Sequence, residues 1–301
     1  MDVSVSAFFV ILSVGAQLYS YYPPIQEVQA WKYNENTVYY KVYDPSRNKW
    51  LKISTSCYTT SEITVKDGVV YWVSDGNAIH FCAYDPSTGA WRKDEHSDMQ
   101  RIVKPRIVDG VLTWAAGNNE VFFATYDPFR QKWQVGSESH IDNIGKWLCK
   151  DGVVAWQAGI SRVYYSIYDP TRGAWKESSQ SSDGAKRKLS IVGATVSYVS
   201  GNGKMYSYGY DHDRGKWYEG PTKPLAYVHT SSASGSAPLH VWFTDMSIGA
   251  TDWYYDFGDK MVGHERSPYH IFKKQDDYFT VTVEVSGPAG IHSTQINIDT
   301  Y

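Results

Sequence analysis

The sequence predicts an all-β chain: five four-stranded sheets set radially as a five-bladed β-propeller, followed by a smaller C-terminal β-sandwich. Three observations predict it. The tripeptide Tyr-Asp-Pro begins at Tyr43, Tyr84, Tyr126 and Tyr168, with Tyr-Asp-His at Tyr210, at spacings of 41, 42, 42 and 42. A Trp stands seven residues after each Tyr (Trp50, Trp91, Trp133, Trp175 and Trp217), and a large aromatic twelve before it (Trp31, Trp72, Trp114, Trp156 and Tyr198). The pattern stops at Trp217, and beyond Gly220-Pro221-Thr222-Lys223-Pro224 the apolar residues alternate in a new rhythm. Recurrence at one fixed period marks an architecture in which each repeat is one supersecondary unit.

Composition bounds the chain before any motif does. Its 301 residues suit about two domains, and 16% aromatic against 20% charged residues exclude a disordered chain and a coiled coil. A formal net charge of −3 gives no global basic field, so nucleic acid is not an expected partner. Cys57, Cys82 and Cys149 are odd in number and lack CxxC spacing. They read as isolated thiols, not as a zinc knuckle or a disulfide framework.

Residues 1–16 have two readings. The apolar run at 7–16 (AFFVILSVGA) is too short to span a bilayer, so no membrane span is expected. It has the length of a leader core, although Asp2 precedes it and no Lys or Arg does. The alternation Val3, Val5, Ala7 reads instead as a strand that adds to the last blade and closes the ring.

Residues 17–225 form the propeller. Within one unit, Val69-Val70-Tyr71-Trp72-Val73 and Ile79 to Tyr84 read as strands joined by a short polar segment. In Tyr-Asp-Pro the Asp side chain bonds its own downstream backbone and Pro presets φ. Asn48, Gly89, Gln131, Gly173 and Gly215 follow five residues after each Tyr, and all but Gln131 are suited to a left-handed turn position. A second turn, Asp67-Gly68, Asp109-Gly110 and Asp151-Gly152, weakening to Gly193-Ala194, precedes each central strand. Asp-Gly between apolar runs is a strong hairpin signal. Four strands and three tight connections make one blade, which buries both faces against its neighbours.

This repeat resembles Kelch-type propellers in Asp-Gly-Val-Val-Tyr-Trp followed by Tyr-Asp-Pro-x-x-x-x-Trp, as at 67–72 and 84–91. Where Kelch repeats carry a double glycine, this chain has Ser74-Asp75, Ala116-Gly117 and Ala158-Gly159. Residues 226–301 resemble a PKD domain, an immunoglobulin-like sandwich. The likeness lies in 234–245 (SGSAPLHVWFTD), 255–259 (YDFGD), 268–272 (PYHIF) and 278–283 (YFTVTV), with Lys260 where the family has a glycine. It implies an extracellular or cell-surface setting, and the two together are similar to microbial surface-layer and cell-surface proteins.

The recurrent aspartates Asp44, Asp85, Asp127, Asp169 and Asp211 read as turn residues, because an active site is unique whereas a turn recurs in every blade. The recurrent tryptophans read as core. The loops opposite the Asp-Gly turns (55–61, 94–100, 136–145 and 178–186) vary between copies, and binding residues concentrate in such loops. His96, Asp98, His140 and Asp142 in those loops are candidates for a metal or sugar site near the axis. Asp245, Asp252, Asp256 and Asp259 are weak Ca²⁺ candidates on the oxygen-ligand rule, and no other cofactor is expected. No phosphate-binding Gly loop, HExxH or nucleophile motif appears. The expected function is a non-catalytic extracellular module that presents loops to a glycan or a cell-surface protein. The alternatives are a secreted carbohydrate-active enzyme with an accessory sandwich, and a self-associating surface-layer or filament subunit.

Overall fold

The computed structural model describes residues 28–301 except 35, 57–60, 141, 161 and 182–186. The two readings of residues 1–16, Cys57, and parts of the loops at 55–61 and 178–186 lie outside the described residues. The described chain is all-β and carries a series of antiparallel sheets at the repeat period.

The first sheet is β1 (Gln29–Asn34), β2 (Thr37–Asp44) and β3 (Lys49–Ser56). The second is β4 (Thr64–Lys66), β5 (Val69–Ser74), β6 (Ala78–Asp85) and β7 (Ala90–Ser97). The third is β8 (Ile102–Val108), β9 (Val111–Ala116), β10 (Glu120–Asp127) and β11 (Lys132–Ser139). The fourth is β12 (Ile144–Lys150), β13 (Val153–Ala158), β14 (Arg162–Asp169) and β15 (Ala174–Ser181), and the fifth is β16 (Arg187–Val192), β17 (Thr195–Val199), β18 (Met205–Asp211) and β19 (Lys216–Glu219). Within each sheet the strands pair in chain order.

Local chemistry sets the turns. Asp109 and Gly110 both take positive φ (53° and 76°), the geometry of the tight turn that suits the twist of flanking strands. Gln131 adopts φ 54°, so all five positions after the Tyr-Asp motif are left-handed, the glutamine included. The second strands β5 and β9 are buried at every residue, because neighbouring sheets cover both faces. Val69, Phe81 and Tyr71 of the second sheet share one core with Leu112, Trp114 and Phe122 of the third.

Three bonds recur at the junctions. The Tyr hydroxyl of each later sheet donates to the buried Asp one repeat earlier: Tyr84 to Asp44, Tyr126 to Asp85 (2.9 Å), Tyr168 to Asp127 (2.5 Å) and Tyr210 to Asp169 (2.6 Å). The Trp indole donates to a backbone carbonyl of the preceding sheet: Trp91 to Leu51, Trp133 to Arg92, Trp175 to Gln134 and Trp217 to Lys176. The Asp of each Asp-Gly turn accepts from the next turn's backbone, as Asp109 does from Asp151 N (2.8 Å) and Asp151 from Gly193 N (2.9 Å). Arg47, Arg130 and Arg172 add a fourth tie, each pairing with its own turn Asp and donating to a carbonyl of the next sheet.

The two ends of the series differ from its middle. Among the described residues Tyr43 donates to Asn48 of its own turn, and Trp50 is 45% exposed. Lys41 and Lys52 lie over the rings of Trp50 and Tyr39, each at 4.2 Å. At the other end the Asp211 side chain is 22% exposed, whereas its equivalents Asp44, Asp85, Asp127 and Asp169 are fully buried. The outer face of the fifth sheet is polar, with Ser197 bonded to Ser207, and Thr222 of the connector closes over it by bonds to Thr195, Ala194 and Tyr210.

After the connector come β20 (Val228–Thr230), β21 (Ser234–Gly235), β22 (Leu239–Asp245), β23 (Asp252–Asp256), β24 (Val262–Gly263), β25 (Tyr269–Phe272), β26 (Asp277–Gly287) and β27 (Gly290–Thr300). They form two sheets, β20-β22-β25 and β21-β27-β26-β23-β24, around one core of Val241, Phe243, Phe272, Tyr255, Val281 and Ile298. Leu225 and Ile248 pack into the core of the fourth and fifth sheets, while Ala226 belongs to the C-terminal core.

Candidate functional site

The C-terminal sheets sit against the Asp-Gly end of the series. Arg266 donates through Nε to buried Asp245 (2.9 Å), and its Nη1 lies 3.7 Å from Asp109. Phe129 of the third sheet stacks near Tyr227 (4.7 Å) and meets His229 edge-on. Between the two parts is a cavity of about 800 Å³. Equivalent positions line it: Val42, Ala83, Thr125 and Ile167 from the first four sheets, and the Asp-Gly turns at Asp67, Asp109 and Asp151. Trp242, Tyr269 and Glu265 contribute from the other side. Pockets of this size with apolar walls and a few polar groups are the usual places where a ligand binds.

The carboxyls around this end are already engaged. Burial pushes the Asp44, Asp85 and Asp169 carboxyls up. Hydrogen bonds outweigh it and hold all three below the ordinary value, from Ser46, Tyr84 and Arg47 to Asp44, from Ser87 and Tyr126 to Asp85, and from Thr171, Tyr210 and Arg172 to Asp169. They are charged, satisfied and structural. A different carboxyl pair stands on the last strands: burial and the neighbouring Glu138 push Glu177 up to about 7.

The sequence-predicted loop residues are placed apart in function. His96 lies against Phe122 (4.3 Å between centroids), with Nε2 4.0 Å from Asp98. His140 lies tilted against Tyr164 (4.2 Å between centroids) and its Nε2 accepts from the Trp156 indole at 2.7 Å. Burial keeps the His140 pKa below its ordinary value, which suits an acceptor nitrogen. Each histidine therefore caps an aromatic of the next sheet, and Asp142 packs against Gly159. Among the described residues no group of three or more His, Cys, Asp or Glu is arranged to hold a metal ion. His96 and His140, candidates for a metal or sugar site, pack onto two separate sheet junctions.

The weak Ca²⁺ candidates each make local bonds. Asp245 pairs with Arg266, Asp252 accepts from Thr251, Asp256 accepts from Gly258 N, and Asp259 accepts from Met261 N and meets His270 at 2.8 Å. Cys82 and Cys149 are buried free thiols. Among the described residues no helix is long and apolar enough to cross a membrane. The cavity and the sheet-to-sheet bonds were not legible in the sequence, since both join residues of different repeats.

No family model matches the chain, and no curated protein matches it. Solved structures do. Human WBSCR16 is 6% identical with a TM-score of 0.32, over 58% of this chain and 57% of that one. Saccharomyces cerevisiae Sqt1 is 8% identical with a TM-score of 0.32, over 88% and 90%. The β-propeller domain of Myceliophteria thermophila Cps50 (Swd1) is 10% identical with a TM-score of 0.28, over 86% and 90%. The chain thus spans little more than half the length of WBSCR16. At TM-scores of 0.28 to 0.32, fold and function are read from the chain itself.

Proposed function

We propose that the chain is a non-catalytic binding and assembly module of the cell exterior. In this reading the five sheets are Kelch-like blades of a propeller that presents its variable loops to a glycan or a protein partner. The PKD-like C-terminal sandwich serves as spacer or second contact. One observation carries the reading: the recurrent Asp, Tyr, Trp and Arg side chains are consumed in bonds between sheets. A frame so fully committed to its own rigidity leaves recognition to what varies between copies, the loops at the far end and the cavity at the sandwich. The test is a glycan array and a two-partner pull-down on the folded full chain. Specific capture that is lost on replacing loop residues 94–100 supports the reading, and empty results from both overturn it.

Self-association is a second reading, favoured by the exposed aromatics of the first sheet, Trp50 and Tyr33, the latter at 70% exposure. Size-exclusion elution that moves earlier with concentration would support it.

A further inference from the structure

The third, fourth and fifth sheets share a feature that the turn chemistry does not require. The first strand of each is broken by a bulge: pairing with the second strand shifts between Val103 and Arg106, between Ile144 and Trp147, and between Arg187 and Ser190. Each bulge holds one lysine, Lys104, Lys146 and Lys188, at the 42-residue period. All three are exposed, and among the described residues none forms an ion pair. Lys104 and Lys188 take φ 50° and 54°, a conformation that costs energy for any residue with a Cβ. Bulges re-aim side chains and gather where a strand serves a site.

The charge on these strands is of one sign. β8, β12 and β16 hold six basic residues and no acidic one, in a chain whose net charge is −3. The third and fourth sheets lie side by side along these strands. Arg106 donates to the Trp147 carbonyl at 2.6 Å, and Lys104 Nζ stands 5.4 Å from the Trp147 ring, beside Lys146. The equivalent position in the second sheet is Glu62, so the stripe stops there. Lysines and bulges also blunt a sheet edge against stray pairing. That role needs no single sign: the opposite edges β7, β11 and β15 keep an unbroken register and mix basic with acidic residues.

We infer that Lys104, Lys146 and Lys188 form a binding site for an acidic polysaccharide, one that carries a carboxylate or sulfate at intervals along its chain. The inference rests on the binding-module reading and supplies its ligand class. Packed sheets stand about 10 Å apart, so equivalent lysines recur at roughly that interval. Duplex DNA presents a charge every ~1.7 Å and needs a denser, larger basic field than this chain has. Ammonium groups are compact point charges, suited to separate monodentate contacts with spaced anions.

The experiment titrates four probes into the folded full chain at low and high salt: a sulfated hexasaccharide, a hexameric oligogalacturonate, an uncharged dextran oligomer and a short DNA duplex. Binding of one or both acidic saccharides, weakened by salt and absent for dextran, is expected. Each of K104Q, K146Q and K188Q should weaken it on the order of fivefold, and the triple variant should abolish it. The thermal midpoint of each variant is measured alongside, and K104R is expected to retain binding. Acidic saccharides bound equally well by a folded triple variant, or tighter binding of DNA, overturn the inference alone. A wild-type chain that binds no probe overturns it too. The binding-module reading falls only if the glycan array and pull-down are also empty.

Discussion

The unit of cohesion is a tyrosine hydroxyl and a buried aspartate one repeat apart. Tyr168→Phe leaves Asp127 short of a donor in a dry site, and should destabilise the chain by about 1–3 kcal/mol. Tyr43→Phe, whose hydroxyl reaches only Asn48 at the surface, should change stability by less than ~0.5 kcal/mol. Urea denaturation of the two variants checks the contrast. Asp44, Asp85 and Asp169 are held below the ordinary carboxylate value in the folded chain, so the unfolded chain takes up protons first as pH falls. Their contribution is complete above about pH 5 and drains away as acid reaches the folded-state values. Thermal midpoints that stay level from neutrality down to about pH 3 would contradict this. The Tyr and Trp positions were legible in the sequence because a repeat announces its own period. Their partners were not, since spacing says nothing about which face of a sheet meets which.

Among elements, turns follow their residues closely. Gly152 has φ 77° with open space around its Cα, so Gly152→Ala pays only backbone strain of about 1 kcal/mol. Gly136 in β11 is of another kind: a Cβ there would meet the Phe123 ring at 2.2 Å. Gly136→Ala should therefore be the more damaging of the two, by about 1–3 kcal/mol, in the same denaturation assay. Strands of neighbouring sheets place Glu177 beside Glu138 and raise its carboxyl. Folded Glu177 keeps its proton up to about 7, so stability is lost as pH rises from the ordinary glutamate range through neutrality. Glu177→Gln should raise the thermal midpoint at pH 8 by about 1–2 °C and leave it unchanged at pH 5, a small effect because the group is largely solvated. His96 and His140 show the limit of reading loops by composition. Polar sequence reads both as loop residues, whereas His96 lies within β7 and His140 directly follows β11, and the aromatic rings that claim them belong to the next sheet.

At the scale of the molecule, each sheet is tied to its neighbours, and the C-terminal part is tied to the Asp-Gly end. Arg266 joins the two by reaching both Asp245 and Asp109, and it lies over Trp253. Arg266→Ala strands Asp245 without its cation in a buried site and should destabilise the C-terminal part first, by about 2–4 kcal/mol. Limited proteolysis that releases residues 226–301 early would report it. The terminal sheets wear different coats from the middle ones: lysines over aromatics at one end, serines and a connector at the other. The sequence break at residue 220 was visible, whereas the docking of the last part onto the series was not, because Arg266 belongs to no motif and the Asp-Gly motif of Asp109 signals only a turn.

The aspartates of the Asp-Gly turns each grip the backbone of the following sheet and the tryptophans reach back to the preceding one, so cohesion runs from neighbour to neighbour along the series. Under tension applied to the two termini, such links carry load one after another instead of sharing it. An optical-trap trace should then show a staircase of separate ruptures, each lengthening the molecule by about one repeat, with the fifth sheet held longest by its threonine clasp.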